Sequence, residues 1–432
     1  MDDDAASHGG RGWRSQGQNA AYLMLNGVAG AAAGLLFWML FARWSGLPPS
    51  AVGVGYGVVA LATLAAVLAK GGLDTAVLRC VPGASSQAAG RVVRFAIVLG
   101  GSLAAALVAI LAVAAHGSAA FAAFDDTAWF LAGLTAVALV VTWLQDAYFL
   151  AEGDARLAFQ RNLVLCVVRI ALPLPLVWLA APQPVALAWA LALVASVLAA
   201  WAFTRHIPER AGRSVPRREV VASALRNVSG SAAEFLPGLI LVPIVLALRG
   251  PAAAAYFGMA WTAASLLFLA AAAISRSALS EMVRGGPGTT TVAVRRAARH
   301  MLFVVVPAAV LAAASSTPLL QLFGPPYAAA APALAVLAAS VVFVGPTYLY
   351  LAVLRARERS TALVVLPLLM ILALALAVPP MASRFGLAGV AWAWLLANAP
   401  FGIYAALRLW SSHPEVSRLA PAPHVGGRAH ME

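Results

Sequence analysis

Residues 158–181 read AFQRNLVLCVVRIALPLPLVWLAA, an apolar stretch of membrane-span length with Arg161 near its start and Arg169 near its centre. A helix rises ~1.5 Å per residue, so Arg169 would sit close to the middle of a hydrocarbon layer ~30 Å thick. A guanidinium at that depth costs at least ~2.5 kcal/mol and is too far from the interface to snorkel to water. Arg169 is therefore expected to face a polar cavity or a buried partner.

The apolar character extends along the whole chain, which is 62% hydrophobic and only 10% charged. Soluble globular chains carry about a quarter charged residues. The apolar residues come in blocks of ~17–25, which predicts an all-α polytopic membrane protein with about twelve spans. They are read at about 20–42, 51–69, 92–115, 128–150, 158–181, 185–204, 228–248, 252–274, 300–320, 328–354, 361–380 and 387–407. Segment 1–18 does not read as a signal peptide, because Asp2, Asp3 and Asp4 spoil a basic leader and the next apolar block has full span length. Cys80 and Cys166 form no CxxC pair and are expected to be small buried hydrophobes, giving neither disulfide nor metal site.

The net charge of +13 could point to nucleic acid, so its distribution decides. Alternate connections hold nearly all of it: Arg11 and Arg14; Lys70, Arg79, Arg91 and Arg94; then Arg156 and Arg161. On the same side follow Arg205, Arg210, Arg213, Arg217, Arg218 and Arg226, then Arg276, Arg284, Arg295, Arg296 and Arg299. Arg355, Arg357, Arg359, Arg408, Arg418 and Arg428 complete that side, against Arg43, Arg249 and Arg384 on the other. By the positive-inside rule both termini are expected in the cytoplasm. The charge reports topology, and no nucleic-acid partner is expected.

A long polar connection, 206–220, follows the sixth span, so the second half enters the membrane in the same orientation as the first. Three weak matches recur at offsets of 202, 200 and 203: Ala62-Thr63-Leu64 with Ala264-Ser265-Leu266, Asp146–Ala151 with Pro346–Leu351, and Leu187-Ala188-Trp189-Ala190 with Val390-Ala391-Trp392-Ala393. The chain is thus divided into a cytoplasmic tail (1–18), a six-helix bundle (19–205), a linker (206–220), a second bundle (221–410) and a tail (411–432). Parallel halves imply a pseudo-twofold axis along the membrane normal and a cleft between bundles, a layout that transporters use. Prolines inside spans (Pro173, Pro175, Pro237, Pro243, Pro346 and Pro400) are expected to kink their helices. Trp44, Trp129, Trp178 and Trp410 fall at span ends and read as interface anchors.

Few other ionisable groups lie inside the spans. Glu234 is either a structural partner or a cation-coupling site. Asn26 and Asn398 either bond between helices or line the cleft. Asp146 is expected to form a rim ion pair with Arg156 or Arg161, and Lys70 an (i, i+4) pair with Asp74. Arg79 and Arg276 read as topology charges that border a cytoplasmic cleft. No GxSxG, HExxH, Walker loop or CxxC is present, and the seven histidines lie in tails, loops or span edges. No enzyme constellation, cofactor or metal site is therefore expected, and active transport would have to draw on a gradient or the membrane potential.

Several stretches resemble the O-antigen and exopolysaccharide flippases of the multidrug/oligosaccharidyl-lipid/polysaccharide (MOP) exporter superfamily. They are Gly72-Leu73…Ala76-Val77-Leu78-Arg79…Pro82, Leu322-Phe323-Gly324…Tyr327-Ala328, and Gly386-Leu387-Ala388-Gly389-Val390-Ala391-Trp392. Ala260-Trp261-Thr262 with Leu279…Glu281 is similar too. The resemblance implies a MATE-like pair of six-helix bundles in a bacterial inner membrane. It further implies translocation of a lipid-diphosphate-linked oligosaccharide to the outer leaflet, alongside polysaccharide polymerase and export machinery. A diphosphate wants a fixed, bidentate cation. This assigns the headgroup to Arg169, assisted at the mouth by Arg79 and Arg276.

Three rivals share parts of the pattern. A multidrug or organic-cation antiporter of the same superfamily has the same architecture, but its cargo wants acidic groups in the cleft. A major-facilitator transporter also has six plus six spans, yet the charged signature between spans two and three is not evident in 83–94. A glycan ligase or glycosyltransferase would carry a large outer loop with catalytic residues, and here only Asp125-Asp126 offers paired acids.

Overall fold

The computed structural model describes residues 3–204, 211–231, 236–285, 289–357 and 360–411. Among them the regular structure is helical, and the single bridge-type contact joins Ala84 to Arg213. In chain order the elements are α1 (Ala21–Trp44), α2 (Pro49–Lys70), α3 (Leu73–Cys80), α4 (Ser86–Ala115), α5 (Asp126–Ala151) and α6 (Ala155–Trp178). They continue with α7 (Pro184–Thr204), α8 (Arg217–Ser231), α9 (Leu236–Gly285), α10 (Thr290–Ala314), α11 (Pro325–Ala339 and Val341–Ala356) and α12 (Thr361–Trp410).

Nine of the described helices are long and apolar enough to cross a membrane, and α11 makes a tenth if its bent pair is one span. Two of the nine, α9 and α12, run for 50 residues. A straight helix of that length would measure ~75 Å, more than twice the hydrocarbon thickness. Each is broken by a glycine outside helical space, Gly250 (φ 81°, ψ 177°) and Gly386 (φ 61°, ψ −140°). The arms of α9 fold back on each other, since a Cβ on Gly238 would lie 2.6 Å from the ring of Trp261. With those two breaks each of the twelve predicted spans has its helical segment.

Local chemistry explains the ends. Pro49 occupies the first turn of α2, where its missing amide proton costs nothing, and left-handed Gly71 terminates that helix. Ser85 Oγ and Asp125 Oδ1 accept the amides of Ala88 and Ala128, capping α4 and α5. Within α6 the helix breaks after Ala171 and restarts at Pro173, which has no amide proton for the carbonyl of Arg169. A break also precedes Leu241, after the short turn that holds Pro237, whereas α12 runs on through Pro400. The 42° bend of α11 falls at Ser340, ahead of Pro346.

The two halves meet along α2 and the second arm of α9, residues 251–285. A Cβ on Gly53 would lie 1.8 Å from the carbonyl oxygen of Pro251, and one on Gly258 would meet the ring of Tyr56 at 2.8 Å. One turn beyond Gly53, a Cβ on Gly57 would meet Leu246 at 2.7 Å. Small residues let the backbones approach this closely, and dispersion across such a contact is the main attraction between helices in lipid. The Tyr56 hydroxyl and Thr262 Oγ1, 2.9 Å apart, end this seam. It lies toward the connections that carry few charges. At the arginine-rich end α8 packs on α3, and the chain at Arg213 exchanges backbone bonds with Gly83 and Ser85. Arg213 is held there by a two-pronged pair with Glu219.

Gly53→Ala should lower the stability of the detergent-solubilised protein by roughly 1–3 kcal/mol or more, because the new methyl has no room. Gly90→Ala, with nothing within 4 Å of its Cβ, should leave the thermal midpoint unchanged or slightly higher. Equal midpoints for the two variants would show that the seam does not form.

Candidate functional site

Beyond the seam a cavity of about 380 Å³ opens between the halves. From the first half its wall is Gly30, Gly34 and Trp38 of α1, Arg169 of α6 and Trp189 of α7. From the second half come Gly238, Trp261, Ser265 and Phe268 of α9, Tyr348 of α11 and Trp394 of α12. Both halves contribute, so a movement of one against the other changes the cavity's shape and access.

Arg169 is 7% exposed, and its guanidinium carbon stands 3.8 Å above the ring centroid of Trp189. That stack uses the face of the cation and leaves its donors in the ring plane pointing elsewhere. Nε of Arg169 is buried without a hydrogen-bond partner, and among the described residues no carboxylate pairs with the side chain. Trp189 is itself wedged between Phe37 and Trp38, at 5.1 and 5.7 Å, so the surface under the cation is fixed. Across the cavity Trp261 and Trp394 stand edge to face at 5.1 Å, and Trp394 Nε1 donates to Ser340 Oγ. The result is one cation with an unmet donor inside a cage of aromatic faces.

Around Arg169, α6 presents further polar groups toward α1 and α5. Asn162 Nδ2 donates to the carbonyl oxygen of Asn26, and Asn26 Oδ1 is buried without a partner. Arg161 grips Asp146 with three bonds of 2.8–3.1 Å. The pairing is the expected one, with Arg161 2% exposed and the Asp146 side chain 24% exposed, so the cation is buried more deeply than its partner. The α6 side chains turn into the bundle, so sequence distance from the span's end overstates their contact with water. Lys70 and Asp74 pair at 2.7 Å, Cys80 and Cys166 are buried free thiols, and among the described residues no metal-holding cluster of acids, His or Cys is found.

The remaining candidates lie apart. Asn398 is 2% exposed and donates to the carbonyl of Trp394, beside the cage rather than in its wall. Arg79 is exposed in the last turn of α3. Arg276 is exposed on α9, seven residues (~10 Å) past the last cavity residue of that helix, Leu269. Neither belongs to the cavity wall. Glu234 lies outside the described residues, as do Arg205, residues 206–210 of the linker, and the tail with Arg418 and Arg428.

No protein-family model matches the sequence, and no curated protein does. Solved structures do. A multidrug resistance MATE family transporter of the MOP superfamily, in its inward-facing conformation, superposes with a TM-score of 0.68 at 18% identity, covering 91% of this chain and 96% of its own. The fold is that of the MATE-type transporters. The lipid II flippase MurJ, in an inward closed conformation, also gives 0.68, at 15% identity and covering 90% of this chain and 87% of its own. An outward-facing MATE family transporter gives 0.61 at 17% identity, covering 94% and 96%. MATE-like chains therefore provide the architecture, and a major-facilitator arrangement is not the one observed.

The aromatic cage escaped the sequence reading, although one signal for it was present. The repeat pairs Trp189 with Trp392, but Trp392 is 44% exposed and the cavity residue is Trp394. A step of two positions turns a helical side chain by ~200°, so a weak repeat cannot say which tryptophan faces inward.

Asp146→Asn should destabilise the protein by about 3 kcal/mol, because Arg161 would be left buried with its charge uncompensated. Adding Arg161→Met to that variant should restore most of the loss in the same detergent-unfolding measurement. If Asp146→Asn unfolds like wild type, the pair carries no such weight.

Proposed function

We propose that this chain moves a polyprenyl-diphosphate-linked oligosaccharide from the cytoplasmic to the outer leaflet, for surface polysaccharide assembly, by alternating access to the central cavity. The observation that carries the reading is Arg169, a buried cation that lines a cavity shared by both halves and has no carboxylate partner among the described residues. A diphosphate supplies charge and in-plane acceptors together, and charge-assisted bonds of this kind are the strong ones. The tryptophan faces can lie against apolar faces of sugar rings, while the prenyl tail stays in lipid.

In this reading both termini are cytoplasmic and the membrane is a bacterial inner membrane, so the glycine seam closes the outer side and the cavity is loaded from within. Residues 19–205 and 221–410 move as two bodies joined by 206–220. Arg79 and Arg276 gather the anionic headgroup near the membrane surface and hand it inward to Arg169. Asn26 orders the polar strip of α6, Asn398 steadies Trp394, and Glu234 supplies cation coupling or a structural partner. The flippase among the structural neighbours acts on a lipid-linked substrate, which agrees with this choice.

One observation favours a second reading. Aromatic faces attract organic cations, and Trp38, Trp189, Trp261 and Trp394 all line the cavity. Export of an organic cation would suit the cage, but Arg169 would repel that cargo at close range in a poorly screened site.

Reconstituted vesicles holding a labelled polyprenyl-diphosphate oligosaccharide separate the two. Wild type should expose the glycan on the opposite leaflet, and Arg169→Ala should slow this by roughly 10–100-fold, the worth of a lost charged hydrogen bond. Arg169→Lys should fall between. Wild-type speed in Arg169→Ala removes the site assignment. Transport of a labelled organic cation in place of the glycan would install the second reading.

A further inference from the structure

The last turn of α1 changes its winding. Leu40–Trp44 form a π-helical turn, and such bulges occur frequently at functional positions. Just before it the helix is fastened to its own half: Phe41 is fully buried against Phe37 at 5.0 Å, and Trp38 meets the ring of Tyr56 at 4.4 Å. Just after it Ser45 Oγ donates to the carbonyl of Phe41 and accepts the amide of Leu47. The turn is held at both ends, and Arg43 is carried on it as a fixed arm.

That arm reaches the other half. Arg43 Nη1 donates to the carbonyl of Gln321 at 2.7 Å. Gln321 is the last residue of a short helix, Ser316–Gln321, and the carbonyls at a helix end attract a cation. Beside this bond a Cβ on Gly324 would lie 3.6 Å from the carbonyl oxygen of Ala42. Phe323 and Tyr327 are buried, which anchors this connection in the second half. Trp38 lines the central cavity, and Arg43 lies five residues (~7.5 Å) beyond it toward the charge-poor end, where the glycine seam also lies. A charge-assisted bond open to water has a modest net worth, because water replaces it when it breaks. It biases this side toward closure without locking it.

We propose that Arg43 is the latch of the outer side: its bond to Gln321 favours the state in which the central cavity is closed to that face, and it breaks when the cavity opens there. The latch rests on alternating access through the cavity and is independent of what the cavity carries. Arg43 is outside the cavity wall, so it is a positioning residue that acts through α1.

Ser265→Cys places a thiol in the cavity wall, and the protein without it, whose Cys80 and Cys166 are buried, gives the blank. A membrane-impermeant anionic methanethiosulfonate is applied to bacterial spheroplasts, which present the outer face, and to inverted vesicles, which present the inner one. The Ser265→Cys parent should react faster from the inner face. Adding Arg43→Ala should raise the outer rate roughly fivefold, the worth of one such bond. Loss of a cation alone would slow an anionic reagent, so the rise reports opening and not charge. Arg43→Lys should recover most of the parent's behaviour. Arg249→Ala, at an outer arginine that lies beside Gly386 within its own half, should change nothing. An outer rate unmoved by Arg43→Ala, whether or not its thermal midpoint falls, or one raised as much by Arg249→Ala, would overturn the latch and leave alternating access standing. Equal reaction of the parent from both faces would remove both.

Discussion

A guanidinium halfway through a hydrocarbon layer must be surrounded by something other than hydrocarbon, and much of this molecule serves that requirement. Arg169 meets the face of Trp189 at 3.8 Å on one side and an open cavity on the other. A carboxylate partner would have neutralised it; Asp146 is occupied instead by Arg161, two turns away along the same helix. Arg161 and Arg169 thus have different fates: one is locked in a pair that holds α5 to α6, and the other lines the cavity without a carboxylate.

On one side of the cavity the halves touch backbone to backbone along a glycine seam. The closeness comes from Gly53 and Gly258, each a place where a methyl group would collide with the opposite half. The cavity wall beyond mixes aromatic residues (Trp38, Trp189, Trp261, Phe268 and Trp394) with glycines (Gly30, Gly34 and Gly238). Pro173 loosens α6 beside Arg169, and Gly250 and Gly386 let two long apolar stretches turn back through the membrane. Backbone chemistry at a few positions therefore sets where the molecule is tight and where it is hollow.

Much of the fold was legible in the sequence. Span lengths are set by bilayer thickness, and buried charge inside an apolar run is rare enough to notice. Twelve helical segments, the partner of Asp146, the pair of Lys70 with Asp74 and the burial of both cysteines could be read in this way. The depth of Arg161 could not, because burial depends on which way a helix turns against its neighbours. For the same reason the tryptophan cage stayed hidden: the repeat aligns Trp189 with Trp392, whereas the cavity residue is Trp394. Arg79 and Arg276, expected at the mouth from their nearness to span ends, are exposed and lie outside the cavity wall. The spacing of Gly53 and Gly57 was a readable sign of close packing that the alanine-rich background obscured.

The central claim is that Arg169 is an anion site in an aromatic cavity. Calorimetric titration of the detergent-solubilised protein with a short-chain prenyl diphosphate tests it most directly, with a quaternary ammonium compound as the opposing ligand. The account predicts that the diphosphate binds, that inorganic pyrophosphate competes, and that Arg169→Gln loses most of the affinity while remaining folded. Undiminished diphosphate binding by Arg169→Gln, or binding of the ammonium compound alone, would contradict it.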